Sequence, residues 1–153
     1  MSFRIEEKLY IKPENLTEFK NFLFKHSAKK IHEPRIIKSL YFDNIQLEMF
    51  TDSIEGSVPR KKIRVREYPN STDKKFYLEI KNSSVEGRFK TRETIDKKKY
   101  DLFKNFGFLD SQYGTCLPNY YVSYEREYVI IDDVRVSIDK NITYKNYRTS
   151  STH

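Results

Sequence analysis

What this chain has little of narrows the field first. A single cysteine, Cys116, in 153 residues permits neither an internal disulfide nor a cysteine-based metal site, and it is expected as a plain loop residue. The four glycines, Gly56, Gly87, Gly107 and Gly114, assemble into neither a Walker loop nor a dinucleotide fingerprint. Any phosphate bound here must therefore be held by side chains. His26, His32 and His153 have no carboxylate or cysteine at ligand spacing, so no histidine chemistry is expected. No stretch approaches the roughly 20 apolar residues of a membrane span, and the charges of Arg4, Glu6, Glu7 and Lys8 sit where a signal peptide would need an apolar run. A cytoplasmic protein without a membrane span is expected.

What is present is aromatic and basic. Twelve tyrosines and eleven phenylalanines supply core volume in place of long aliphatic runs. Lys and Arg at 29 exceed Asp and Glu at 22, a net charge of +7 that still leaves acids enough to pair many cations. At this length a single domain is expected over 1–147, followed by a frayed tail at 148–153.

Helical spacing appears twice, from Pro13 to about His26 and from an N-capping Asp96 to Gly107. Alternation of period two recurs over 3–11, 35–43, 60–68, 75–82, 88–95, 120–131 and 133–139. The expected fold is mainly β (α+β), an antiparallel sheet or barrel with two or three short covering helices. Lys97, Lys98 and Lys99 read as the solvated face of the second helix.

The alternation places cations on one face. Arg64 and Arg66 share one side of their strand and Ile63 and Val65 the other. Glu79 and Lys81 alternate with Leu78 and Ile80, Lys90 and Arg92 flank Thr91, and Arg126 follows Tyr124 by two. Arg135 alternates with Val134 and Val136, and the first alternating run carries Arg4, Glu6 and Lys8. Two readings stay open. The charged side is a solvated face, the commoner case, or it lines the inside of a closed sheet. In the second case unit charges ~7 Å apart repel by roughly 2 kcal/mol per pair at an effective dielectric near 20. Such a lining calls for an anion, and phosphate suits it because Arg and Lys bind phosphate oxygens through charge-assisted hydrogen bonds.

In the order Arg4-x-Glu6-x-Lys8, Ser39-Leu40-Tyr41-Phe42-Asp43, Lys62-Ile63-Arg64-Val65-Arg66-Glu67-Tyr68, Leu78-Glu79-Ile80-Lys81, Lys90-Thr91-Arg92, Tyr124-Glu125-Arg126 and Val134-Arg135-Val136-Ser137-Ile138-Asp139, the chain resembles the VTC-type polyphosphate polymerase domain of the triphosphate tunnel (CYTH-like) superfamily. The resemblance implies an antiparallel tunnel that transfers the γ-phosphoryl of ATP to inorganic polyphosphate. It assigns phosphate binding to Lys8, Arg64, Arg66, Lys81, Lys90, Arg126 and Arg135, with Lys8, Arg64, Arg66, Lys81 and Arg126 as the catalytic set. Mn²⁺ or Mg²⁺ is implied as cofactor; Glu6 and Glu79 are the carboxylates available for it, the alternative being that they pair with neighbouring cations. Leu9 departs from the family's tyrosine at that position. The family also continues into a late element carrying a metal-binding glutamate that is not found in these 153 residues, so a tunnel open on one side, one completed by another chain as in a homo-oligomer, or a sequence that is a fragment of a longer protein is expected. A triphosphate hydrolase and a non-catalytic polyanion-binding module are the alternatives on the same fold. A single-stranded nucleic-acid binder ranks below them, since no recognisable signature for it is present, and no specific nucleic acid is expected as partner.

Overall fold

A computed structural model of the chain describes residues 5–148. Arg4 and the tail at 149–153 lie outside the described residues. After a short 3-10 turn at Pro13–Asn15 come α1 (Leu16–Lys25), β1 (Lys29–Asp43), α2 (Glu48–Glu55), β2 (Arg60–Glu67), β3 (Phe76–Ser84) and β4 (Gly87–Ile95). Then follow α3 (Lys97–Phe106), β5 (Phe108–Asp110), β6 (Gly114–Ile131) and β7 (Val134–Asn146). Two compact units are distinguishable: the segment before Pro34 with Glu127–Ile138, and Pro34–Arg126 with the segment after Ile138.

In the first unit, α1 turns Leu16, Phe19 and Leu23 onto one stripe, as the 3.6-residue period predicts. Leu23 is buried with Ala28, Val129 and Ile138, and Leu16, Phe19, Ile131 and Val136 pack around them. The β6–β7 hairpin turns through Asp132 and Asp133, both at positive φ (46° and 63°), the geometry a tight two-residue turn requires. One expectation is corrected here. The alternating segment that was expected as a first strand forms no regular element over 5–12. Alternation marks a face only once a neighbouring strand accepts the backbone hydrogen bonds, and Glu6 and Lys8 are on no strand.

The second unit carries the antiparallel ladders. The sheet runs β4-β3-β2-β1-β6-β5, with β7 also paired to β6. Registers are fixed at Tyr41 opposite Arg64, Arg64 opposite Glu79, and Glu79 opposite Arg92. Lys62, Lys81 and Lys90 stand in one row across β2, β3 and β4. Because side chains alternate, each strand sends its aliphatic residues to the other side. There Leu40, Phe42, Ile63, Val65 and Leu78 are buried with Met49 of α2 and Tyr100 of α3. Burial of a large apolar side chain contributes about 1.5–3 kcal/mol, so this face anchors the unit.

Asp96 caps α3 as expected, its carboxylate accepting from the Lys99 N–H at 2.7 Å. Gly107, at φ 84°, closes that helix, and a Cβ there would lie 2.7 Å from the Cys116 carbonyl oxygen. Helix α2 was not among the two spacings identified in the sequence. Its cap comes from the end of β1: the Asp43 carboxylate accepts from the N–H groups of Met49 and Phe50, both at 3.0 Å. Leu47, just before α2, holds a left-handed φ of 57°, a cost these hydrogen bonds offset. Cys116 is not a loop residue. It sits on β6 fully buried in the apolar cluster, and burial pushes its thiol up to about 11. Among the described residues no helix is long and apolar enough to cross a membrane.

Candidate functional site

The polar face of β2, β3 and β4 is organised around one carboxylate. Glu79 sits mid-strand on β3 and is fully buried. Arg64, its Cα partner on β2, donates from Nε to Glu79 Oε2 at 2.7 Å and brings Nη2 to 2.6 Å of the same oxygen. The Arg66 Nε lies 3.9 Å from Oε2. On the other side Lys90 Nζ and Arg92 Nε, both from β4, lie 3.2 and 3.7 Å from Oε1. Oε1 is buried and accepts no well-directed hydrogen bond from the described residues. Burial pushes the Glu79 carboxyl up, but Arg64, Arg66 and Lys90 outweigh it and hold it below the ordinary carboxylate range.

Tyrosines complete the lining. Arg64 Nη1 donates to the Tyr41 hydroxyl at 2.8 Å, and Tyr41 stacks on Tyr120 of β6 with ring centroids 5.2 Å apart. Arg66 Nη2 donates to the Tyr124 hydroxyl at 3.3 Å, and its Nε reaches Ser39 Oγ at 3.4 Å. Burial acts to lower the Arg64 pKa, but Tyr41 and Glu79 outweigh it and hold the guanidinium above its ordinary value, so it is charged at any working pH.

Several residues singled out in the sequence therefore come together. Arg64, Arg66 and Lys90 meet on Glu79, and Lys81 is on the same face of β3 two residues further along. Arg126, with its guanidinium 5.2 Å from the Tyr124 ring centroid, is held by a forked pair to Asp139 at 2.6 and 2.8 Å. Lys8, Glu6 and Arg135 belong to the first unit. Lys8 and Glu6 are highly exposed and pair at 4.0 Å, and Arg135 is exposed on β7. Glu79 is ion-paired with neighbouring cations. Arg92, placed among the alternating cations but not in the phosphate-binding set, joins the site, as do Ser39, Tyr41 and Tyr124, which the sequence reading had given no role. Each follows an established alternation, but their partners are set by cross-strand register. Among the described residues no three His, Cys, Asp or Glu side chains gather to hold a metal ion. Glu79, already shared by four cations, does not build such a site by itself.

The mostly antiparallel sheet, with helices packed on its apolar side, matches the triphosphate tunnel fold of solved structures. A crystal structure of a candidate adenylate cyclase from Bacillus halodurans superposes with a TM-score of 0.61 at 14% identity, covering 89% of this chain and 74% of that one. A Hippeastrum protein, described as a candidate adenylyl cyclase with dominant triphosphatase activity, gives 0.49 at 12% identity over 89% and 73%. The sequence matches the VTC domain family over residues 3–153, and the chain belongs to that family. It is 28% identical over 102 residues, 56% of its length, to vacuolar transporter chaperone complex subunit 4 of Schizosaccharomyces pombe, and spans 14% of that protein.

Proposed function

We propose that the polar face of β2–β4 binds the phosphate chain of ATP and of inorganic polyphosphate, and that the chain is of the polyphosphate polymerase type. One observation carries this reading. Four cations gather on the single buried carboxylate of Glu79, leaving three positive charges uncompensated on one strand face. Lys62 and Lys81 stand in register with Lys90, so further lysines continue the same face along the strands. A purely structural cluster would approach neutrality, because like charges in adjacent strands destabilise a sheet. A run of phosphates satisfies such a face as no single carboxylate does.

In the proposed reaction an oxygen of the terminal phosphate of polyphosphate attacks the γ-phosphorus of ATP. The bond to the β,γ-bridging oxygen breaks, and ADP leaves with the bond's electron pair. Phosphoryl transfer of this kind needs in-line positioning and neutralisation of the equatorial oxygens more than a protein nucleophile. Arg64 is oriented for that task by Glu79 and Tyr41, and Arg66 by Ser39 and Tyr124; Lys81 and Lys90 supply mobile point charges. Arg126 is proposed as a further phosphate ligand, exchanging one oxygen of Asp139 for phosphate, while Lys8 and Arg135, in the first unit, are proposed as phosphate ligands on the family resemblance alone. Mg²⁺ or Mn²⁺ enters as part of the nucleotide complex, as substrate, and no step is assigned to it on protein ligands.

The test is incubation of the purified protein with ATP and Mn²⁺ or Mg²⁺, with ADP assayed and polyphosphate resolved on a gel. ADP together with a phosphate ladder supports the polymerase. Orthophosphate without a ladder reassigns the face to triphosphate hydrolysis. Tight triphosphate binding without turnover leaves a polyanion-binding module.

A further inference from the structure

The two ends of the polar face differ in chemistry. Beyond Glu79 in one direction stand Lys62 and Lys81, in register with Lys90, ammonium groups on long aliphatic stems. In the other direction stand Tyr77 and Tyr68, the two aromatic residues at the even positions of β2 and its continuation and the odd positions of β3. Each tyrosine carries an arginine. The Arg92 guanidinium carbon is 3.9 Å from the Tyr77 ring centroid, and that of Arg35 is 4.2 Å from the Tyr68 ring centroid. The two pairs are joined, since Arg92 Nη2 donates to the Tyr68 hydroxyl at 3.4 Å and the rings meet edge to face at 5.9 Å. Arg35 and Arg92 are exposed, while Tyr68 and Tyr77 are half-buried.

We infer that Arg35, Tyr68, Tyr77 and Arg92 form the seat of the nucleobase when a nucleoside triphosphate occupies this face, its phosphates running past Glu79 towards the lysine row. Planar guanidinium groups stacked on tyrosine rings present flat, polarisable surfaces on which a base stacks without regard to its identity. Distance supports the arrangement. Arg92 touches both Tyr77 and Glu79, so the stack begins one alternation, about 7 Å, from the phosphate ring. The inference rests on the proposed function and adds to it the direction of the substrate and the residues that tell a nucleotide from bare triphosphate.

The experiment compares ATP with inorganic triphosphate by calorimetric titration of the wild type, Arg35→Lys, Arg35→Ala and Tyr68→Ala. Arg35→Lys keeps the charge and removes the plane, and Arg35, being exposed, tolerates change better than half-buried Tyr68. All three variants are expected to bind ATP roughly tenfold more weakly while their affinity for triphosphate stays within about twofold for Arg35→Lys. Equal weakening of both ligands in Arg35→Lys, or unchanged ATP binding in all variants, overturns the nucleobase seat while leaving the phosphate reading intact. Failure of the wild type to bind triphosphate overturns both.

Discussion

Two buried carboxylates on opposite faces of this sheet invite comparison. Asp110, at the end of β5, is also buried, though less completely than Glu79, and is likewise held below the ordinary range. Burial pushes its carboxyl up, and Lys61 together with the N–H groups of Gln112 and Tyr113 brings it down. The Lys61 ammonium is 2.9 Å from Oδ1, and the two N–H groups lie 2.9 and 3.1 Å from Oδ2. One acid meets one cation there, and both oxygens are satisfied. Glu79 meets four cations, and one of its oxygens has ion pairs but no well-directed hydrogen bond. Burial and a depressed pKa are common to both. What differs between them is the leftover charge, and on that difference the proposed binding surface rests.

The sharpest way to break this comparison is to remove the cations nearest Glu79. Arg64→Ala with Arg66→Ala is expected to weaken triphosphate binding by about 3–6 kcal/mol, from ~1.5–3 kcal/mol per hydrogen bond to a charged group, measured by calorimetry at fixed salt. Affinity within threefold of the wild type would place the anion elsewhere. The counterpart on the other face is Asp110→Ala, which strands Lys61. It should cost about 3 kcal/mol in urea unfolding while leaving triphosphate affinity unchanged. A loss of affinity there would dissolve the distinction between the two carboxylates.

A finer test uses pH. Because the folded Glu79 carboxyl titrates below its unfolded value of about 4.3, its stabilising contribution is present above that value and is lost as pH falls through the lower folded one. Unfolding of the wild type and Glu79→Gln from pH 7 to pH 3 should show a stability gap that narrows on acidification, and a constant gap would contradict the pairing. The smallest effect expected is for Tyr41→Phe. Losing the acceptor for Arg64 Nη1 should cost about 1 kcal/mol of stability by thermal unfolding. A negligible cost would mean that water replaces the phenol.

Much of this site was legible because its strands obey a strict two-residue period. Arg64, Arg66, Glu79 and Lys81 could be assigned to one face from spacing alone, and Ile63, Val65 and Leu78 to the core. Register was not legible, which is why Glu79 stood as either a metal ligand or a pairing acid, why Arg92 was placed on the cation face but given no partner, and why Tyr41 and Tyr124 went unassigned. Helix α2 escaped notice for a different reason. Its capping carboxylate is Asp43, on a strand five residues before the helix begins, where adjacent-residue rules do not look. The expected first strand fails for the converse reason, since alternation over Ile5 to Leu9 is a necessary sign of a strand and not a sufficient one.

The protein's lone thiol has a practical side. Cys116 is shut inside the apolar cluster with little thiolate at neutral pH, so alkylating dyes should leave the native chain unlabelled. A cysteine installed at Val85, 90% exposed at the tip of the β3–β4 hairpin, would then react alone. The wild-type chain is in that sense already a background-free scaffold for a single fluorescent reporter, placed on the hairpin whose strands carry Glu79, Lys81, Lys90 and Arg92.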